Sequence, residues 1–192
     1  MKGALGLAWP ASSYAIVGAR PGGGQRALRP GAKRRGRLPG GGMRVFRRIL
    51  HATDFSSASR PALAQAIALA RQNRAPLFMV HALPPTVLPF GGDVTYVPPG
   101  TYEAIDRSAR EHAQKQLQTL VGRAKKAGVR ATALLLDGSP HEQILRAVRR
   151  TRADLLVIGT HGRTGLSKVL MGSVAERLVR LAACPVLTIR GR

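Results

Sequence analysis

The sequence predicts an α/β fold: a single doubly wound, five-stranded parallel sheet with helices on both faces, of the Rossmann-like kind. Three observations predict it. From residue 45 onward, short apolar segments alternate with helical patterns in the order β-α-β-α-β-α-β-α-β. The strand segments are almost continuously apolar, which is typical of parallel strands covered on both faces. At 192 residues and 20.5 kDa the chain has room for one such domain and an appendage.

The spacing of apolar residues defines each element in turn. Helices show apolar positions three and four residues apart, and strands show short runs of Val, Ile and Leu bounded by turn residues. Each β-α-β step implies a parallel pair of strands with a right-handed crossover. The predicted elements are strand 45–53, helix 58–73, strand 77–82, helix 101–127, strand 129–136, helix 140–149, strand 154–158, helix 173–181 and strand 185–189.

Residues at the ends of the helices carry further signals. Ser56 and Ser57 are candidate N-caps for the first helix. The long second helix is predicted to end at Gly128. Ser139 and Glu142 have the spacing of a capping box at the start of the third helix. The apolar stripe of the second helix comprises Ile105, Ala109, Ala113, Leu117, Leu120 and Ala124.

Two segments of the predicted domain, the connection 84–100 and the last strand, bear on access to a ligand site and on pairing with a second copy of the chain. The connection 84–100 contains Pro-Pro and Gly-Gly pairs, and a mobile lid and a disordered insertion are equally open interpretations. The fifth strand ends the chain, so we expect it at a sheet edge. A bare apolar edge is a hazard unless it is covered or paired. Pairing with a symmetry mate through this C-terminal edge strand would give a homodimer.

Residues 1–42 differ in composition from residues 43–192, which hold the predicted domain. They contain half of the glycines and several basic but no acidic side chains, so we expect a disordered basic extension. A signal peptide, a nucleic-acid-binding arm and translation starting at Met43 are the alternatives. We interpret the formal net charge of +22 chiefly as a solvated Arg-rich surface and do not expect nucleic acid as a partner.

The cysteine count and hydropathy bound the cellular setting. Cys184 is the single cysteine, which excludes an intramolecular disulfide and a Cys-rich zinc site. It stands beside Pro185 at the start of an apolar strand, so we expect it to pack in the core. A reducing compartment is the simplest setting. No run of about eighteen apolar residues is present, so no membrane interaction is expected.

A glycine-containing loop after the fourth strand carries the candidate chemistry. Gly159 and Gly162 allow a ligand to approach the backbone closely. Gly172 and Ser173 begin a helix whose free N–H groups and dipole favour an anion. Arg163, within the loop, can neutralise phosphate charge. A tight strand-to-helix connection without a ligand is the alternative, and neither a P-loop nor a G-x-G-x-x-G fingerprint is present.

The predicted topology brings further groups to this loop. In doubly wound sheets, ligands bind beyond the carboxyl ends of the strands, where the strand order reverses. Asp54 follows the first strand and is suited to accept hydrogen bonds from a ribose. Backbone groups near Ala82, at the end of the second strand, are placed to read the edge of an adenine. The predicted ligand is therefore a nucleotide rather than a free phosphate.

These residues resemble a known family. Gly159-x-x-Gly162, nine residues and then Gly172-Ser173 resembles the ATP-binding pattern of the universal stress protein (UspA) family. The segments Ile-Leu-His-Ala-Thr-Asp, Val-His-Ala and Cys-Pro-Val-Leu also look like that family. The resemblance covers about residues 43–192. It implies the universal stress protein type of fold, ATP with Mg²⁺ or Mn²⁺ bound through the phosphates, a homodimer and a cytoplasmic stress-response role.

The resemblance also implies which residues contact the nucleotide. Ala175 departs from some ATP-binding members, which carry a hydroxyl residue there, so one phosphate donor is missing. The chain is nevertheless identified as a member of the ATP-binding branch, because the glycines are present. With Arg163 added for its charge, the predicted contacts are Ala52, Thr53, Asp54, Ala82, Ile158, Gly159, His161, Gly162, Arg163, Gly172, Ser173 and Val174.

The sequence favours a binding protein over an enzyme. Efficient ATP hydrolysis needs a positioned base, and His161 is the one candidate near the predicted phosphates. We expect this histidine to contribute backbone and packing, so we expect no catalytic residue, although slow hydrolysis stays open. The predicted function is an ATP-binding stress-response switch with unknown protein partners. The alternatives are a dimeric interaction protein that binds no nucleotide and a slow ATPase.

Overall fold

The structure is a computed structural model that describes residues 14–17, 46–85, 100–160 and 171–191. The elements confirm the predicted alternation of strands and helices, with boundaries shifted by a few residues. In chain order they are β1 (Tyr14–Val17), β2 (Ile49–Ala52), a 3-10 turn (Ser57–Ser59), α1 (Arg60–Asn73), β3 (Leu77–Leu83), α2 (Thr101–Lys126), β4 (Ala131–Asp137), α3 (Pro140–Thr151), β5 (Leu155–Gly159), α4 (Ser173–Leu181) and β6 (Val186–Ile189).

The strands form one sheet in the order β1-β6-β5-β2-β3-β4. The five strands from β2 to β6 pair in parallel, which confirms the predicted doubly wound parallel sheet. Within the parallel part of the sheet, the chain passes from β2 outward to β3 and β4 and then crosses back to β5 and β6 on the other side of β2. The strand order therefore reverses at β2 and β5, where ligands bind in open α/β sheets.

The sixth strand, β1, was not predicted. It lies antiparallel to β6, and its register runs from Tyr14 opposite Ile189 to Val17 opposite Val186. Residues 14–17 of the extension that was expected to be disordered form a strand, and β6 lies inside the sheet instead of at its edge. The physical reason is that an exposed strand edge offers unpaired N–H and C=O groups to any extended segment within reach. The rest of residues 1–42 lies outside the described part of the chain.

Two hydrophobic layers enclose the sheet. Helices α1 and α2 cover one face, where Leu77 and Leu117 are completely or almost completely buried. Helices α3 and α4 cover the other face, where Leu50 and Leu178 are equally buried. Strands between two helical layers must be apolar on both faces, which explains their continuous hydrophobic runs. None of the helices in the described residues is long and apolar enough to cross a membrane.

Helix ends differ from prediction in places. Ser139 is the N-cap residue of α3, but its hydroxyl lies 3.0 Å from Nδ1 of His141 and caps no backbone N–H, so the predicted capping box is wrong. The N-cap of α1 is Ser59, because the 3-10 turn takes up the preceding serines. Gly128, with a φ of 79°, ends α2 as predicted. Of the connection 84–100, residues 86–99 lie outside the described residues.

Candidate functional site

A cavity of about 980 Å³ lies beyond the carboxyl ends of β2, β3 and β5. It occupies the point where the strand order reverses. Helix α2 forms one side, and the starts of α3 and α4 form the other. All the predicted site residues in the described part of the chain line it: Ala52, Thr53, Asp54, Ala82, Ile158, Gly159, Gly172, Ser173 and Val174. The predicted residues His161, Gly162 and Arg163 lie outside the described residues.

Hydrogen-bonded side chains build the wall that follows β2. The hydroxyl of Ser59 donates to the carbonyl of Ser56 at 2.8 Å, so the 3.2 Å contact between Ser59 and Thr53 has the Thr53 hydroxyl as donor. Thr53 Oγ1 also accepts from the backbone N–H of Phe55 at 3.0 Å. Asp54 Oδ1 accepts from the N–H and the hydroxyl of Ser56, at 3.1 and 2.7 Å. These bonds fix the turn and orient the Asp54 carboxylate at the cavity.

An aromatic pair supports the same turn. Phe55 has a φ of 65°, a left-handed conformation that a bulky residue adopts at an energetic cost. Its ring lies 4.3 Å from the ring of His81, centroid to centroid, with an interplanar angle of 36°. His81 Nδ1 lies 2.8 Å from the carbonyl oxygen of Thr53, and therefore carries the proton and donates it. The end of β3 and the turn after β2 thus hold each other in place, and both contact the cavity.

Backbone groups build the opposite wall, between β5 and α4. The N–H of Thr160 donates to Ile189 at 2.9 Å, and the N–H of Gly172 donates to the carbonyl of Thr160 at 2.8 Å. Gly172 is the N-cap residue of α4, and no side chain caps this helix within the described residues. The N-terminus of α4 lies at the cavity, so its first backbone N–H groups and the positive end of the helix dipole are both on the cavity side. An anion is the complementary partner for such a wall.

The fold itself does not require glycine at position 172. Its φ of −62° and ψ of 148° are open to any residue. Among the described residues, a Cβ added there would meet only the carbonyl oxygen of Thr160, at an ordinary contact distance of 3.5 Å. A glycine at this place leaves the cavity side of the backbone bare, so that a ligand can approach the start of α4 closely.

The first turns of α2 form a wall that sequence reasoning missed. Ile105 was placed on the buried stripe of this helix, yet it is 48% exposed and lines the cavity. Only the second half of the stripe packs in the core. The signal was present in the sequence, because the stripe runs for more turns than the strands beneath it can cover. The residues of α2 at the cavity are Thr101, Ala104, Ile105, Ser108, Ala109, His112 and Ala113.

Two buried titratable groups lie outside the cavity lining. Burial lowers the pKa of His51 to about 4, although a bond to the Val157 carbonyl at 3.0 Å and the charge of Asp54 both act to raise it. Its Nε2 atom has no hydrogen-bond partner among the described residues. Burial likewise raises the pKa of Cys184 to about 11, and this side chain packs in the core as predicted. Both residues are structural at neutral pH.

The site combines an apolar slot with two polar ends. Its middle is lined by small and aliphatic side chains, including Ala52, Ala82 and Ala109. One end has the Asp54 carboxylate, an acceptor for hydroxyl groups, and the other has the N-terminus of α4, a donor to anions. No group of three or more His, Cys, Asp or Glu side chains with the geometry of a metal site occurs in the described ranges. The arrangement suits a ligand with a flat apolar part, hydroxyl groups and an anionic tail.

Comparison with known proteins identifies the family. The model of the Universal stress protein family matches residues 46–190. Universal stress protein MJ0531 of Methanocaldococcus jannaschii is 34% identical over 149 residues, which cover 78% of this chain and 85% of that protein. Universal stress protein YxiE of Bacillus subtilis is 30% identical over 148 residues, 76% of this chain and 100% of that protein.

Solved structures share the fold. That of MJ0577 from Methanocaldococcus jannaschii aligns with a TM-score of 0.66 at 22% identity, over 77% of this chain and 98% of that one. A universal stress protein in complex with cAMP aligns with a TM-score of 0.54 at 24% identity, over 78% and 100%. One from Archaeoglobus fulgidus in complex with dAMP aligns with a TM-score of 0.52 at 24% identity, over 77% and 100%. The chain described here belongs to the universal stress protein family.

Proposed function

We propose that the protein binds an adenine nucleotide, namely ATP, in the cavity and acts as a stress-response regulatory switch. One observation carries the proposal. The fold brings Asp54 and the N-terminus of α4 to the same cavity, although they are far apart in sequence. A ribose acceptor and an anion-binding helix end on opposite sides of an apolar slot match the three parts of a nucleotide. A free phosphate would use only one of these features.

The comparisons support the class of ligand. The cAMP and dAMP complexes are structures of proteins with this fold, and both ligands contain an adenine, a sugar and a phosphate. The same three parts fit here with the adenine in the slot near Ala82, the sugar at Asp54 and the phosphates at Gly172 and Ser173. The choice of ATP over AMP rests on the glycine pattern of the loop. The choice of ATP over AMP therefore depends on the residues of that pattern that lie between positions 161 and 170.

A divalent cation fits this site only through the ligand. Mg²⁺ usually keeps several waters and binds through substrate phosphates with one or two protein oxygens. Ser173, at the start of α4, supplies a hydroxyl oxygen at the cavity. We therefore propose that Mg²⁺ or Mn²⁺ enters bound to the phosphates. The cation would reduce the charge repulsion of the triphosphate, while Ser173 orients it.

The proposed role is to hold ATP rather than to cleave it rapidly. Asp54, His81 and His112 are the titratable side chains in the described lining, and none belongs to the α4 side of the cavity. His81 is also engaged by Thr53 and Phe55. Steady-state phosphate release tests this part. A turnover number near the enzyme median of about 10 per second would contradict it, and slow release would favour the slow ATPase alternative.

Two further parts of the proposal concern partners and location. A homodimer through the β6 edge would require β1 to leave that edge, because β1 already pairs with all four residues of β6. A reducing, cytoplasmic location suits a chain with one buried cysteine. Each stays a prediction of the proposed function.

Thermal unfolding of the full chain with nucleotide tests the central proposal. At a concentration of about 100 times its dissociation constant, ATP with Mg²⁺ should raise the free energy of unfolding by roughly 2.7 kcal/mol. GTP at the same concentration is the control for the adenine, and inorganic triphosphate is the control for the anionic tail alone. If millimolar ATP with Mg²⁺ does not change the free energy of unfolding, the proposal fails and the alternative of an interaction protein that binds no nucleotide is favoured. Mass spectrometry of any nucleotide that co-purifies would distinguish ATP from ADP and AMP.

A further inference from the structure

The side of the sheet opposite the cavity gathers positive charge. Strands β2 to β5 begin there and helices α1, α2 and α3 end there, because each parallel crossover returns the chain to the same side. We call residues 46–48, 70–76, 123–130 and 148–154, which lie at this side, the basic pole. They hold eleven Lys and Arg side chains, all exposed, and a single carboxylate, that of Asp154. The other described residues hold eight Lys and Arg and seven Asp and Glu, so their charges nearly cancel.

The cations of the basic pole have no carboxylate partner within the described residues. The ion pairs there involve Arg110 and Arg180, and neither belongs to the pole. The Asp154 carboxylate accepts hydrogen bonds from the backbone N–H groups of Arg47 and Arg48, at 2.8 and 2.9 Å, and so holds the start of β2. The positive charge of the pole is therefore largely uncompensated, and a polyanion is its complementary partner.

Two arginines stand at the pole at a conformational cost. A basic residue in the last turn of a helix is ordinary, because it complements the negative end of the helix dipole. Arg74 and Arg152, however, follow the last turns of α1 and α3 as C-cap residues, each with a φ of 52°. Glycine adopts this left-handed conformation without strain, as Gly128 does after α2 with a φ of 79°. The two arginines thus bring to the pole a charge that helix capping does not require.

The extent and charge of the basic pole match a stretch of duplex DNA. Four strand starts about 4.8 Å apart span about 14 Å, and a layer of helices about 10 Å thick flanks each face, so the pole extends over roughly 20 Å. Duplex DNA carries one negative charge per about 1.7 Å of its axis, which gives about twelve charges over this length. Eleven basic side chains and one acidic side chain give the pole a net charge of +10. A duplex that lies across the pole therefore meets a comparable density of opposite charge.

The residue types of the pole indicate phosphate contacts rather than base contacts. Nine of its eleven cations are arginines, whose planar guanidinium binds phosphate through two parallel hydrogen bonds. Single-strand binding uses exposed aromatic rings, and the aromatic residue of the pole, Phe46, packs against the core. The Asn73 amide and the Thr151 hydroxyl are bonded within the fold. They are therefore not available to read base edges or the 2′-hydroxyls of RNA, and Gln72 alone cannot specify a sequence.

An anionic membrane is the other large polyanion that a cell offers. Binding at a membrane surface draws on buried apolar area as well as on charge. The large apolar side chains that are exposed in the described residues are Ile105, Met171 and Leu181, and none of them belongs to the basic pole. DNA therefore fits the pole better than a lipid surface does.

We propose that the basic pole is a docking surface for double-stranded DNA, which it contacts through the phosphates without reading the base sequence. The sequence predicts no nucleic-acid partner when its charge is regarded as spread over a solvated surface, whereas the fold gathers that charge on one side. The pole lies opposite the cavity, so DNA and a small ligand can bind to the same molecule at the same time.

Three substitutions in the full chain remove one cation from the end of each helix at the pole. This pole variant changes exposed residues of α1, α2 and α3 and is Arg71→Gln/Lys126→Gln/Arg149→Gln. The matched control also loses two arginines and one lysine, at exposed positions of α1 and α2 outside the pole, and is Arg60→Gln/Arg107→Gln/Lys115→Gln. Both variants have the same net charge and an unchanged segment 1–42. Thermal unfolding verifies that both keep the fold.

Fluorescence anisotropy of a labelled DNA duplex of about 30 base pairs measures binding between about 50 and 200 mM salt. The full chain and the control should bind. The pole variant should bind at least about tenfold more weakly at about 100 mM salt, because each lost phosphate contact releases fewer counterions. Its slope of log dissociation constant against log salt concentration should be smaller by about three. Duplexes of unrelated sequence should differ in affinity by less than about threefold.

A pole variant that binds as tightly as the full chain, or no more weakly than the control, would overturn the proposal, because the pole would then not account for binding. A full chain that does not bind the duplex at about 50 mM salt would do the same, as would tighter binding of an RNA duplex of equal length. Vesicles that contain phosphatidylserine test the membrane surface. Binding to these vesicles without binding to DNA would assign the pole to a membrane and overturn the proposal.

Discussion

Two walls of the cavity, one after β2 and one before α4, lie at the carboxyl end of the sheet but are built by different groups. The wall after β2 depends on side chains: Thr53 bonds to the Ser59 hydroxyl and to the N–H of Phe55, and the Asp54 carboxylate accepts two bonds from Ser56. The rings of Phe55 and His81 pack against each other at the same turn. The wall before α4 depends on backbone, with Gly172 bonded to the Thr160 carbonyl and a helix end left without a side-chain cap.

Because of this difference, we expect substitutions in the side-chain wall to lower the stability of the fold and substitutions in the backbone wall to weaken ligand binding. A substitution in the side-chain wall breaks buried hydrogen bonds, so it should lower the free energy of unfolding whether or not a ligand is present. A substitution at Gly172 in the backbone wall adds atoms where the described residues leave space, so it should mainly affect ligand binding. A substitution in one wall should therefore leave the property that depends on the other wall unchanged.

The largest expected effect is the pH dependence of stability that His51 causes, on strand β2, which precedes the side-chain wall. Burial lowers the pKa of His51 to about 4 in the folded chain, from 6.5 in the unfolded chain. Between pH 4 and 6.5 the unfolded chain binds a proton on His51 that the folded chain does not bind. The contribution of His51 to the free energy of unfolding is therefore fully present above pH 6.5 and is lost as the pH drops towards 4. His51 alone should account for a loss of about 3 kcal/mol over this range.

Denaturant unfolding between pH 4 and 7.5 measures the contribution of His51. The His51→Leu variant should lack this part of the pH dependence, and the His112→Gln variant, at an exposed histidine of α2, should keep it. Equal pH slopes for wild type and His51→Leu would show that other groups dominate. The nucleotide shift, measured at pH 7.5, should remain in the His51→Leu variant, because His51 lies outside the cavity lining.

The next effect is specific to the backbone wall. Gly172→Val should remove the roughly 2.7 kcal/mol of stabilisation expected from ATP at about 100 times its dissociation constant, because the added side chain occupies the approach to α4. The apo protein should lose no more than about 1 kcal/mol, since valine is a poor N-cap but its Cβ makes no close contact with the residues that the structure describes. Thermal unfolding with and without ATP gives both numbers.

A milder pair of substitutions controls for loss of glycine as such. Gly172→Ala and Gly122→Ala each add one methyl group, and Gly122 lies within α2, where no other part of the described chain comes within 4 Å of an added Cβ. The Gly122 variant should gain about 0.5–1 kcal/mol of stability and keep the ATP shift. The Gly172 variant should lose part of the shift. A large fall in apo stability in the Gly172 variant would contradict the separation of the two walls.

The side-chain wall predicts the opposite behaviour for Thr53→Val. This change keeps the shape but leaves the N–H of Phe55 and the hydroxyl of Ser59 without Thr53 Oγ1, which should cost about 2 kcal/mol of apo stability. Thr119→Val is the control, because that hydroxyl donates to Lys115 on the exposed side of α2 and should matter by about 0.5 kcal/mol or less. Urea unfolding compares them. Equal losses would mean that the buried network does not stabilise the turn.

The smallest effect concerns Ala175, where the backbone wall lacks a hydroxyl that some ATP-binding members of the family carry. Ala175 lies on the first turn of α4, is buried and lines the cavity. Ala175→Ser adds a hydroxyl there and should strengthen ATP binding by about 0.5–1 kcal/mol, a few-fold in the dissociation constant. Ala104→Ser adds the same group on the α2 side and should leave affinity unchanged. Calorimetric titration measures both, and equal affinities for Ala175→Ser and wild type would place the phosphates elsewhere.

Prediction from sequence succeeded where one local pattern decides the outcome. The strands around Leu50 and Leu156 and the helix after Gly172 follow from apolar spacing and turn residues alone. The carboxyl-end location of Asp54 followed from the β-α-β order, and the cavity confirms it. The capping box at Ser139 failed because a neighbouring histidine offered the hydroxyl another partner. Ile105 was misplaced because helical periodicity does not show where the sheet beneath a helix ends.

The sequence by itself determined five parallel strands, their helices and the places of Gly159 and Gly172 at the cavity, because periodicity and residue type report local burial directly. The tertiary structure decided what depends on distant segments. It placed His51 in full burial against β5, made the first turns of α2 a cavity wall and laid Tyr14–Val17 along β6. Backbone groups at a strand edge accept almost any extended segment, so a sequence pattern cannot specify which one pairs there.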